Sequence, residues 1–80
     1  MATLYVLDVP EFSVLLEAAQ QTGLQLSRKG DYVAVTSEEA SLVLRRSRIE
    51  ARDAVWFAAL TGGFNGTVAR FDAEELRLEN

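Results

Sequence analysis

Cysteine and histidine are both absent from the 80-residue sequence. Their absence excludes disulfides, thiolate and imidazole metal sites, and any mechanism built on a histidine base or a cysteine nucleophile. Long apolar runs are missing too. The longest, Ala54 to Leu60, has seven residues, against the roughly 20 that a membrane-spanning helix needs. The N-terminal residues lack the basic flank of a signal peptide, and Asp8 and Pro10 interrupt their apolar character. These features fit a cytoplasmic protein without a membrane role. Positive charge is scarce: 8 Lys and Arg stand against 12 Asp and Glu, for a net charge of −4. The deficit lies in residues 1–40, which hold two basic and six acidic side chains, whereas residues 41–80 hold six of each. Such a chain is a poor default partner for nucleic acid.

Its length is enough for a single compact domain, residues 1–80. A domain of this size buries roughly 60–65% of its unfolded surface, so its stability is thin without a supplement. With no disulfide or metal to staple it, a partner subunit is the natural supplement.

The chain is organised around residues 47–63. Ser47 and Glu50 form a capping-box pattern, and Gly62 or Gly63 can close a helix in the left-handed conformation. The spacing predicts a helix over roughly 48–61. Ile49, Trp56 and Leu60 fall on one face of it. Val55 and Phe57 flank that face, and Ala51, Ala54 and Ala58 lie opposite, with almost no charge among them. A surface helix usually has a polar back. This one lacks it in its second half, so it is expected to be covered by its own sheet and by something else. Trp56 and Phe57 point to different faces, one expected in the core and the other in an interface.

Residues 2–7 read as a strand with two apolar faces, hence a central one. Asp8 caps a helix that has Pro10 in its first turn and Phe12, Leu15, Leu16 and Ala19 as its apolar stripe, and Gly23 stops it. Leu24–Arg28 and Tyr32–Thr36 read as a hairpin turning at Lys29-Gly30-Asp31. Residues 40–46 fit a strand or a helix. A strand hairpinned to 32–36 through Ser37-Glu38-Glu39 is preferred, because a helix start at Ser47 leaves the preceding segment extended. Asn65-Gly66 marks a turn, Thr67–Phe71 a strand, Asp72–Glu75 a second turn, and Leu76 with Leu78 a last short strand. A C-terminal helical turn from Asp72 is the alternative for that end. The fold class expected is α+β: a mainly antiparallel sheet of four to six strands with two helices packed on it, in the order β-α-β-β-β-α-β-β.

Candidates for chemistry are few. Arg45, Arg46, Arg48 and Arg52 form the one basic cluster, which together with a helix N-terminus could hold an anion. Neighbouring acids dilute it, and no aromatic residues interleave with it. Gly62-Gly63-Phe64-Asn65-Gly66 follows a helix rather than preceding one and lacks a P-loop lysine, so it reads as a cap and turn. The acids Asp8, Glu11, Glu50, Asp53, Asp72, Glu74 and Glu75 show no metal-ligand or acid–base spacing. Tyr5, Tyr32, Trp56, Phe57, Phe64 and Phe71 read as core or subunit interface rather than a ligand pocket.

The sequence therefore points to a non-catalytic interaction or accessory subunit that self-associates as a homodimer. Its expected interface is Ala51, Ala54, Phe57 and Ala58. No cofactor, metal or nucleic acid is implied. The alternative is a regulatory domain that binds an anionic small molecule at the arginine cluster.

Overall fold

The structure, a computed structural model, describes residues 2–49 and 51–79. The α+β class is borne out, with two helices and two antiparallel sheets. β1 (Thr3–Leu7) leads through a 3-10 turn at Pro10–Phe12 into α1 (Ser13–Gln21). β2 (Gln25–Lys29), β3 (Tyr32–Thr36) and β4 (Ser41–Arg45) follow, then a 3-10 turn at Arg46–Arg48 and the short α2 (Asp53–Phe57). β5 (Phe64–Asn65), β6 (Thr67–Phe71) and β7 (Glu75–Glu79) complete the order. The first sheet runs β2-β3-β1-β5 and the second β4-β7-β6. Residues 41–45 are thus a strand, and β1 sits inside its sheet as its two apolar faces require.

One core lies between the two sheets and under the helices. Leu4 and Val6 of β1, Leu15 and Ala19 of α1, Val35 of β3, Leu42 and Leu44 of β4, Trp56 of α2, and Leu76 and Leu78 of β7 meet there. Phe12 and Leu16 pack against this cluster, so the apolar stripe expected on the first helix is the face it buries. Its polar residues Ser13, Glu17, Gln20 and Gln21 are exposed. Gly23, at φ +89°, follows the helix end as expected.

Four expectations are corrected. β4 does not hairpin with β3. β3 already has β1 on one side and β2 on the other, so no edge is left for it. The Ser37 N–H instead donates to the Ala2 carbonyl at 3.1 Å, and the chain crosses to pair β4 with β7, from Ser41 opposite Glu79 to Arg45 opposite Glu75.

The second helix is far shorter than 48–61. Ile49 is buried in an extended conformation (φ −128°, ψ 119°), which a helix through that point cannot supply. Ser47 lies in a 3-10 turn, and α2 starts after Arg52, with no side-chain cap. Glu50, the other half of the expected capping box, lies outside the described residues. After Phe57 the chain winds through turns to Gly63 (φ +98°). There the Gly63 carbonyl accepts the Tyr5 N–H at 3.0 Å, and β5 pairs with β1. Helix propensity in 58–61 yields to this sheet pairing.

The third correction concerns Asp8, which caps no helix: it pairs with Arg28 at 2.5 Å, and Val9 occupies the cap position without a side-chain bond. The fourth concerns Gly63-Phe64-Asn65-Gly66, which holds a two-residue strand before its turn at Gly66.

Candidate functional site

The β6–β7 hairpin turns on Asp72. Its Oδ1 accepts the backbone N–H groups of Glu74 and Glu75 at 2.8 and 2.9 Å, and its Oδ2 accepts Arg70 Nε at 2.6 Å. The Arg70 hydrogen bond, then the two backbone donors, hold the Asp72 carboxyl down to about 2. The same hydrogen bond raises the Arg70 guanidinium above its ordinary value. Trp56 Nε1 donates to the Asp72 carbonyl at 2.6 Å, tying α2 to this turn.

Beside the turn lies Glu75, only 7% exposed. Three arginines close over it: Arg77 at 3.4 Å, Arg70 at 3.7 Å and Arg45 at 3.8 Å. Their placement follows from register. Arg45 is the cross-strand partner of Glu75, Arg70 that of Arg77, and Glu75 and Arg77 share the face opposite Leu76 and Leu78. Arg70 and Arg77 would repel as a like-charged pair; Glu75 and Asp72 offset that repulsion. A bulge between Val68 and Arg70 turns Val68 and Phe71, three residues apart, to the same side, opposite Leu78 and Leu76.

An open groove of about 570 Å³ runs along this network, lined by Arg45, Arg46, Ser47, Arg70, Ala73, Glu74 and Glu75. The arginine cluster read from the sequence is therefore divided. Arg45 and Arg46 line the groove together with Arg70, which the sequence did not nominate. Arg46 is turned inward: it pairs with Asp53, and its Nη2 donates to the Ala51 carbonyl at 3.2 Å. Arg52 is exposed at the start of α2 and does not line the groove. The Arg48 side chain lies outside the described residues. Arg45, Arg46 and Arg70 each face a carboxylate, so the groove is electrically matched. The alternation of Arg70, Glu75 and Arg77 about the turn was the signal that could have found this network.

The expected interface residues sit on and beside α2. Trp56 is fully buried, whereas its neighbour Phe57 is 49% exposed. Phe57 rests on Phe71 with ring centroids 5.8 Å apart, and Trp56 meets the same ring at 6.0 Å. Ala54 is exposed, and Ala51 and Ala58 are half-buried. With Val68 at 37% exposure, the outer side of α2 and the rim of β6 present small and aromatic apolar groups. Among the described residues, no three acids come together in a group that could hold a metal ion, and no helix is long and apolar enough to cross a membrane. The chain matches no protein-family model, no curated protein and no solved structure.

Proposed function

We propose that the chain is a small, non-catalytic interaction or accessory subunit of the cytoplasm that associates with a second copy of itself through α2. One observation carries this reading: Phe57 stands half-exposed on the partly buried ring of Phe71, with Ala54 one turn back along α2 and Ala58 next to it. An aromatic held rigid from below loses little entropy when a partner covers it. Small neighbours let that partner approach closely. Apolar area removed from water contributes about 25 cal/mol per Å², and a dimer contact of about 1,200 Å² in total would also stabilise a marginal fold by mass action.

The test is sedimentation of the unaltered chain beside Ala54→Glu and Phe57→Glu. Either charge placed in the contact is expected to raise the dissociation constant at least about tenfold, or 1.4 kcal/mol. Ala54→Glu leaves the packing under Phe57 untouched, so it separates association from folding. Unchanged association in both variants would remove α2 as the contact.

The alternative, an anion-binding regulatory domain, draws support from the groove beside Arg45, Arg46 and Arg70. Its weakness is that an incoming anion must displace the carboxylates already paired there.

A further inference from the structure

Four strands have an unpaired side among the described residues: β2 and β5 in the first sheet, β4 and β6 in the second. Three are protected against pairing with another chain. β2 carries Arg28 and Lys29, β5 is two residues long, and β6 is bulged. β4, Ser-Leu-Val-Leu-Arg, has no bulge, no proline and no charge before its last residue.

Its free side is open to hydrogen bonding. Arg46 N–H donates to the Glu74 carbonyl at 2.9 Å, which makes that cross-strand pair a hydrogen-bonded one. Alternation then gives the β7 bonds to Leu44 and Leu42, and turns the N–H and C=O groups of Ser41, Val43 and Arg45 outward. Two adjoining hollows follow that edge. One, of about 380 Å³, lies between Ala18 of α1 with the following Thr22 and Val43, Leu44 and Arg45. The other, of about 300 Å³, reaches Glu38, Glu39 and Ser41.

We infer that β4 pairs edge to edge, antiparallel, with β4 of a second copy. Charge selects this occupant. Glu39 and Arg45 are both exposed and lie at opposite ends of the open edge. A strand lying antiparallel to β4 complements both ends if an acid precedes its apolar run and a base follows it, and β4 with its own flanks has that pattern. Placing Leu42 on the two-fold axis sets Ser41 of each copy opposite Val43 of the other, and brings the bend that carries Glu39 of each copy to the end of the edge where Arg45 of the other lies. The two Ser41–Val43 pairs would then exchange about four backbone hydrogen bonds. This contact lies on the edge of the second sheet farther from β6, separate from the Phe57 surface, and goes beyond the α2 dimer.

The test is sedimentation at high micromolar concentration in the Phe57→Glu background, which removes the α2 contact. Phe57→Glu protein is expected to remain partly dimeric. Adding Glu39→Arg alone, or Arg45→Glu alone, brings like charges together and is expected to weaken that dimer at least tenfold. Mixing the two singly altered proteins restores opposite charges in both pairs, so the mixture is expected to associate where neither component does. Val43→Pro, which removes an outward N–H without touching the β7 bonds, is expected to abolish the dimer while the fold persists by circular dichroism. Equal association of the charge variants, or no gain on mixing, overturns the pairing. Loss of all association in the Phe57→Glu protein overturns it too and leaves the α2 contact standing. Association of that protein equal to the unaltered chain counts against α2 alone.

Discussion

The indole N–H of Trp56 donates to the backbone carbonyl of Asp72 at 2.6 Å, so the one tryptophan joins α2 to the β6–β7 turn. Trp56 is fully buried and its ring also packs on Phe71. Trp56→Phe keeps most of the ring but leaves the carbonyl without its donor, and is expected to cost about 1–3 kcal/mol. Trp56→Ala adds a cavity and is expected to cost about 3–5 kcal/mol. Urea unfolding followed by circular dichroism measures both.

Asp72 should give the domain an acid-sensitive turn. Its folded carboxyl is held down to about 2, first by Arg70 and then by two backbone N–H groups. A pKa lowered on folding contributes stability that is complete above the unfolded value, near 4, and is lost as pH falls through the folded one. Asp72→Asn is expected to flatten the stability profile between about pH 4 and pH 2 and to lower stability at pH 7. A slope over that range equal to the unaltered protein's would show that this carboxylate contributes nothing.

Two glycines are expected to resist substitution for different reasons. At Gly66, φ is +110° and an added Cβ would strike the Glu79 carbonyl. At Gly62 the backbone angle is ordinary, but a Cβ would overlap the Tyr5 carbonyl where 62–65 closes on β1. Gly66→Ala and Gly62→Ala should each cost more than about 1 kcal/mol. Gly30, at φ +64° in the β2–β3 turn with open space around it, should cost less. Thermal unfolding of the three variants ranks them.

Inorganic phosphate tests the groove. Arg45, Arg46 and Arg70 are matched by Glu75, Asp53 and Asp72, so millimolar phosphate is expected to leave the melting temperature where sodium chloride of equal ionic strength leaves it. A saturable rise, lost in Arg70→Gln, would favour the anion-binding alternative.

Much of the fold was legible because its signals are local. The Gly30 turn, the stripe of Leu15, Leu16 and Ala19, and the alternation of Leu76 and Leu78 each act within a few residues. What escaped depends on distant pairing. Nothing near Leu42 announces that Leu78 lies opposite it; that follows only once β1 and β2 have filled both sides of β3. The second helix is shorter than its local sequence predicts for the same reason. Ile49 goes to the core and Gly63 goes to Tyr5, and these two anchors leave five residues for α2. At the site, Arg45 and Arg46 were legible as a cluster, but Glu75 as the common neighbour of Arg45, Arg70 and Arg77 was not, because three strands converge on it. Phe57, set apart from Trp56 by helical phase alone, is the exposed member of that pair.

Self-association is tested most directly by sedimentation equilibrium of the unaltered chain from low to high micromolar concentration. The expected result is a weight-average mass that rises from the protomer value to at least twice that value. A single folded species at the protomer mass across the whole series would contradict it.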